Sequence, residues 1–234
     1  MNASHALDNP IWTALTTRQV QFAQSCDLAR RFAPEISPLG AFREPSQDGF
    51  DSLARLQNGV GATALFLEPP VALPAGWTIL HQAPLLQMVQ TIGEALTPDT
   101  NKSARDWIEL TQTDIPEMMA LTELTKPGPF SARTRELGNY IGIRRNGVLA
   151  AMAGERLRVP GYTEVSAVCT HPDYTGQGLA AGLMGILVEQ IRGRGETPFL
   201  HVRQDNERAI ELYRRLGFTE RMLGQLVVVH SDAK

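Results

Sequence analysis

Cysteine is scarce. Only Cys26 and Cys169 carry a thiol among 234 residues, so no disulfide framework exists and no metal-ligand spacing is formed. A basic excess is lacking too: 22 Lys and Arg stand against 25 Asp and Glu, for a formal net charge of −3. Nucleic-acid binders usually show the reverse balance, and no long block of one charge sign appears. No apolar run reaches the length of a bilayer span. The opening MNASHALDNPIW has neither the basic flank nor the apolar core of an export signal. These absences lead to the expectation of a cytoplasmic protein with no metal, no nucleic acid and no membrane as partner, present as a monomer or homodimer. What remains is ordinary globular composition, 43% apolar and 20% charged. The length suits one large domain or two small ones.

The polar stretch TPDTNKSARD, Thr97 to Asp106, divides the chain and reads as a linker. It suggests two parts, residues 1–103 and 104–234. In the first, FDSLARLQ reads as a short helix and VGATALFL as a strand ended by Pro69 and Pro70. WTILHQ and LLQMVQTI read as two further short apolar segments. The second part is more rhythmic. WIELTQ suggests a strand, and IPEMMALTEL a helix with Pro116 in its first turn. YIGIRRNGVLAAMAGERL reads as two strands around the hairpin signal Asn146-Gly147. TEVSAVCT is a strand whose Glu164, Ser166, Val168 and Thr170 share one face, because side chains alternate; Cys169 reads as a small buried residue. A helix, the strand PFLHV, another helix and the strand GQLVVVH follow, the order of a mixed α/β sheet.

Between TEVSAVCT and the next helix lies HPDYTGQG. Beyond Gly178, the residues Ala180, Leu183, Met184, Leu187 and Ile191 fall on one helical face. Gly176 and Gly178 therefore occupy a strand-to-helix turn at a helix N-terminus. Unpaired N–H groups and the positive end of the helix dipole meet there. Glycine lets the backbone curl and lets a ligand come close. The turn suits a phosphate or pyrophosphate, or simply connects two elements. A P-loop is excluded, because Gly178-Leu179-Ala180 stands where Gly-Lys-Ser/Thr is needed. GQGLAA also fits the dinucleotide pattern G-x-G-x-x-A. The acidic residue expected after the next strand is absent, however, since Glu196 precedes PFLHV, and too little chain follows for a doubly wound half.

After PFLHV, the segment DNERAIELYRRLGF offers Asp205 or Asn206 as a helix cap and a buried stripe of Ala209, Ile210, Tyr213 and Leu216. Taken together, VSAVCTHPDYTGQGLAAGLMGILVEQI and FLHVRQDNERAIELYRRLGF resemble the GCN5-related N-acetyltransferases, in particular their FR47-like branch. The resemblance covers roughly residues 104–230. It rests on four features in order: the strand, the Gly-x-Gly turn, the Asn-x-x-Ala-x-x-x-Tyr helix and Gly-Phe. The family usually begins its turn with Arg or Gln, where this chain has Asp173. The first part, with its LDNPIWTAL opening, is similar to the leader of some FR47-like proteins, which can be a degenerate copy of the same fold. It has no Gly-x-Gly turn, so a second cofactor site is not expected there.

The resemblance implies acetyl-CoA as donor and a primary amine of a small molecule or peptide as acceptor. It implies that the amides of Gly176, Gln177, Gly178, Leu179 and Ala180 hold the pyrophosphate. The strand edge at Val168, Cys169 and Thr170 would pair with the pantetheine arm, and an N–H near Val168 would polarise the thioester carbonyl. Asn206 would contact the pantetheine arm or cap its helix. Tyr213 would serve the departing thiolate or pack the helix on the sheet. An alkylamine, with a pKa near 10, needs a proton acceptor. Glu164 is the first expectation and Glu155 the alternative, with His171 read as a turn residue. In LTKPGPFSARTRELG, Phe130, Arg133 and Arg135 are candidates to line the acceptor pocket. A non-catalytic acyl-CoA sensor and a dinucleotide-dependent oxidoreductase are the rival functions.

Overall fold

A computed structural model describes residues 5–58, 61–91 and 106–232. All but the last residue of the Thr97–Asp106 stretch lies outside the described residues. The described strands form two sheets. A small antiparallel one contains β1 (Ala23–Cys26), β2 (Ala29–Phe32) and β3 (Gly40–Phe42). The large one has eight strands: β4 (Thr63–Leu67), β5 (Trp77–Gln90), β6 (Trp107–Glu109), β7 (Tyr140–Arg145), β8 (Val148–Val159), β9 (Tyr162–Thr170), β10 (Thr197–Arg203) and β11 (Phe218–Ser231). Their order across the sheet is β4-β11-β5-β10-β9-β8-β7-β6.

Local chemistry explains most elements. Asn146 and Gly147, at φ 51° and 81°, close the β7–β8 hairpin, the two positive angles that a tight primed turn requires. Helix α1 (Pro10–Thr16) is capped by the Asn9 side chain, which accepts from the Trp12 N–H. Helix α2 (Gln47–Gln57) is capped by Ser46 and ends on Asn58 at φ 49°, a left-handed C-cap. Helix α3 (Ile115–Thr125) has Pro116 in its first turn. Two more helices, α4 (Leu179–Gly193) and α5 (Glu207–Arg215), follow β9 and β10.

The large sheet is covered on both faces. On one, Leu183, Met184, Leu187 and Ile191 of α4 and Ile210 of α5 pack on Ile143, Ala151, Leu200 and Phe218. On the other, Leu7, Ile11 and Leu15 around α1 bury against Phe32, Leu157 and Phe199, while Met118 and Leu121 of α3 bury against Tyr140, Met152 and Cys169. Each fully buried Leu or Ile contributes roughly 1.5–3 kcal/mol relative to exposure.

The sheet runs across the sequence division. Strand β5, from the first part, stands between β10 and β11 of the second, antiparallel to both. WTILHQ and LLQMVQTI are therefore not separate elements. As far as Gln90, they are the two ends of one 14-residue strand, held from Trp77↔Ser231 to Gln90↔Phe218 by β11.

Candidate active site

Gly176 and Gly178 adopt φ 79° and 74°, and Gly178 is the N-cap of α4. Among the described residues no side chain caps this helix. Asn9, Ser46 and Asn206, by contrast, each fill that role on their own helices. The first of these hydrogen bonds in α4 joins the Gly182 N–H to the Gly178 carbonyl, so the preceding amides point out of the helix end without that partner. A Cβ built on Gly176 meets nothing within 4 Å; the ground in front of the turn is open. Asp173 lies exposed just before it, its N–H donating to His171 Nδ1 at 3.3 Å. His171 is thus a turn residue, as its neighbours suggested.

Beside this turn the sheet opens. Strands β9 and β10 pair in parallel at only three positions, Tyr162↔Thr197, Thr163↔Pro198 and Glu164↔Phe199. Beyond Glu164, β9 stays with β8 and β10 stays with β5. The facing edges, with Val168, Cys169 and Thr170 on one side, diverge as a wedge that leads to the Gly176–Gly178 turn. A bulge shapes it. Ala167 has φ 52°, and one extra β9 residue falls between the Met152↔Cys169 and Gly154↔Ser166 pairs. A bulge of this kind bends a strand and re-aims its side chains.

The bulge corrects the expectation for Glu164. With unbroken alternation it would share a face with Val168 and Thr170. Instead Val165 and Val168 both pack on the α4 side, whereas Ala167 and Cys169 pack on the α3 side. Glu164, next to Val165, is turned to the opposite face from Val168. There it is fully buried. Arg156 grips it with Nε at 2.8 Å and NH2 at 2.7 Å, His201 Nδ1 lies 2.7 Å away, and the Leu157 N–H donates at 3.3 Å. Burial pushes its pKa up, but the Arg156 charge and hydrogen bonds, with His201, hold it down at about 2. Such a carboxylate is a poor proton acceptor near neutral pH. The alternative, Glu155, is also fully buried and is clamped between Arg158 and Arg194, the latter at 2.8 Å. Neither glutamate stands in the wedge as a free base.

The other expected residues divide similarly. Asn206 caps α5 by accepting from the Ala209 N–H at 3.2 Å. Tyr213, half-buried, lies two turns further along α5 with its ring 6.2 Å from that of Phe218. Burial raises its phenol to about 12, so the hydroxyl keeps its proton at neutral pH. The Cys169 thiol, pushed up to about 11 by burial, faces α3. Phe130 packs edge-on against Tyr140 with centroids 5.6 Å apart. Arg133 is spent on Glu136 and Glu35, at 2.6 and 3.0 Å, and Arg135 Nε donates to the Leu110 carbonyl at 2.6 Å. Both arginines have partners within the chain.

Sequence reading missed Arg156, His201 and Tyr140. His201 sits inward in PFLHV, where a titratable residue inside an apolar strand was the available signal. Tyr140 lies across Gly154, where a Cβ would come within 2.2 Å of the ring; its buried hydroxyl has no hydrogen-bond partner among the described residues, and burial raises its pKa.

The family model described as FR47-like protein matches residues 140–227. A GNAT-family protein of known structure from Novosphingobium aromaticivorans is 37% identical, with 98% of this chain and 100% of that one aligned at a TM-score of 0.88. The N-alpha-acetyltransferase RimI of Mycobacterium tuberculosis is 38% identical over 99 residues, 39% of this chain and 61% of the relative. An uncharacterised protein of Mycobacterium leprae is 40% identical over 99 residues but is matched over only 27% of its length. The chain thus spans less than two thirds of these two curated relatives. The ribosomal protein bS18-alanine N-acetyltransferase of Escherichia coli K12 is 32% identical over 117 residues, 78% of its length. By its near full-length match to the Novosphingobium protein, and by the wedge and turn that carry the motifs, the chain belongs to the GCN5-related N-acetyltransferase family.

Proposed function

We propose that the protein transfers the acetyl group of acetyl-CoA to the primary amine of a small molecule or peptide. The observation that carries this reading is the uncapped N-terminus of α4 opening onto the β9–β10 wedge. The amides of Gly176 to Ala180 would bind the pyrophosphate. The free edge of Val168 to Thr170 would take the pantetheine arm as an added strand, bringing the thioester to the apex of the wedge. Asn206, while capping α5, would reach the same arm.

The amine nitrogen attacks the thioester carbonyl, the carbon–sulfur bond breaks, and the electron pair leaves on sulfur. A backbone N–H near Val168 would meet the charge developing on the carbonyl oxygen. Tyr213, still protonated at neutral pH, would give its hydrogen bond or proton to the thiolate. The amine's own proton would pass to water in the wedge, because Glu164 and Glu155 are held in ion pairs.

That shortage of a base bears on the acceptor. An alkylamine with a pKa near 10 is almost wholly protonated at neutral pH, whereas an α-amino group at 7.7–8.0 is partly neutral without assistance. An α-amine, such as a peptide N-terminus, is therefore the acceptor class we favour. The names of the Mycobacterium tuberculosis and Escherichia coli relatives, an N-alpha-acetyltransferase and a ribosomal protein bS18-alanine N-acetyltransferase, support it. We further propose that residues 1–103 are a degenerate copy of the half at 104–234.

The test is a thiol-release assay with acetyl-CoA and a panel of amines: alanyl peptides, free amino acids and simple alkylamines. CoA release with α-amines above alkylamines supports the reading. Tight acetyl-CoA binding without release on any amine would make the protein a sensor instead.

A further inference from the structure

A strand–helix–strand unit occurs twice. In the second half it is β9, α4 and β10; in the first it is β3, α2 and β4. The parallel join is made the same way in both. The Thr197 N–H donates to the Gly161 carbonyl at 2.8 Å ahead of the Tyr162↔Thr197 pair, and the Ala64 N–H donates to the Pro38 carbonyl at 2.8 Å ahead of the Leu39↔Ala64 bridge. In the first half the strands part after that single bridge. Strand β3 continues in the small sheet and β4 in the large one. Between their parted edges lies a cavity of about 330 Å³, lined by Ala41 and Phe42 of β3, Phe66 and Leu67 of β4, and Asp8 and Glu68 at its rim among others. It occupies the position in the first unit that the cofactor wedge occupies in the second.

Phosphate is the wrong ligand for it. The end of α2 that faces the parted strands is already capped by Ser46, whose side chain accepts from the Gly49 N–H at 3.2 Å. Asp48 adds a negative charge in the first turn, and the lining residue Pro45 has no N–H to offer. The charge of the lining points the other way. Among the described residues that line the cavity, the ionisable ones are Asp8 and Glu68. Asp8 is ion-paired to Arg221. Glu68 is exposed and has no ion pair among the described residues. Phe66, half-buried, supplies aromatic surface, which attracts cations, while Phe42 is buried against Phe50. The volume is that of a small-ligand pocket.

We propose that this cavity is a second ligand site, separate from the acetyl-transfer wedge, that takes a small primary ammonium compound with an apolar body. The ammonium group lies toward Glu68 and the body lies against Phe66.

The proposal is tested on the full chain, without acetyl-CoA, by ¹H–¹⁵N NMR titration with 2-phenylethylammonium and with its anionic counterpart 3-phenylpropionate. The expected result is saturable shifts in Gly40 to Phe42 and Leu65 to Glu68 with the ammonium probe and none with the carboxylate. Glu68→Gln should weaken the ammonium probe about fivefold, the upper end for an exposed ion pair, and Glu68→Lys should weaken it further. Because Glu68 is exposed, both variants retain the wild-type spectrum. No saturable shift at millimolar probe, equal binding of both probes, or affinity indifferent to Glu68→Lys each overturns the site. Shifts confined to Val165–Thr170 and Gly176–Ala180 also overturn it, since they place the amine in the transfer wedge and leave that reading standing.

Discussion

His201 and Glu164 meet just past the last parallel pair of β9 and β10, imidazole Nδ1 to carboxylate Oε1, at 2.7 Å. The other ring nitrogen lies 3.1 Å from the Gln87 side-chain amide on β5. If that amide donates to Nε2, the proton of a neutral ring sits on Nδ1 and points at Glu164. Gln87 in turn accepts from Arg221 at 2.9 Å, and Arg221 pairs with Asp8. A polar chain thus runs under the apex of the wedge and ties the N-terminal segment to it. Its role is to hold β9 and β10 where they separate.

Glu164→Gln should therefore act first on stability. It leaves the buried Arg156 guanidinium without its countercharge, a change that typically costs about 3–5 kcal/mol. Thermal and urea melts would register this directly. In the folded variant the pH–rate profile should keep its shape. A profile that flattens at unchanged stability would return Glu164 to the role of base.

The same carboxylate makes stability depend on acid. Its folded pKa of about 2 lies below the ordinary 4.5, so its contribution is complete above pH 4.5 and is lost as pH falls through 2. Urea melts across this window should show a falling stability, with a shallower slope in Glu164→Gln. Parallel slopes would mean that Glu164 titrates normally in the folded chain.

Much of this was legible in the chain, and the exceptions have physical causes. The Asn146-Gly147 hairpin, the amphipathic α4 and the Asn206 cap of α5 follow from local preferences that neighbouring residues fix. The Gly-x-Gly turn could be located for the same reason. What could not be read was non-local. Nothing in WTILHQAPLLQMVQ says that β5 will be inserted between strands formed by residues more than a hundred positions away. The face of Glu164 depended on one bulge at Ala167, and alanine carries no signal for a positive φ. The Arg133–Glu35 ion pair could not be read because Glu35 comes from a distant segment.

Tyr213→Phe keeps the ring and its contact with Phe218, so the melting temperature and acetyl-CoA affinity should hold. Turnover should fall by up to about 10²-fold, the low end for lost acid–base assistance, as a drop in kcat at constant KM. Steady-state kinetics with an α-amine acceptor would check it. Wild-type turnover would leave Tyr213 as a packing residue.

Arg133→Ala removes ion pairs made at the surface with Glu35 and Glu136. Such pairs are weak in water, so melting temperature, acceptor KM and kcat should all stay close to wild type. A selective rise in KM for carboxylate-bearing acceptors would instead place Arg133 at the acceptor.

The N-terminus of α4 is the proposed pyrophosphate site. Calorimetric titration of CoA into wild type and Gly178→Val, each checked by circular dichroism, tests it most directly. Valine places a branched Cβ at a residue with φ 74° in front of the helix end. The wild type should bind CoA and not NADH, and the folded variant should lose CoA binding. Unchanged CoA affinity in a folded Gly178→Val protein would contradict the assignment.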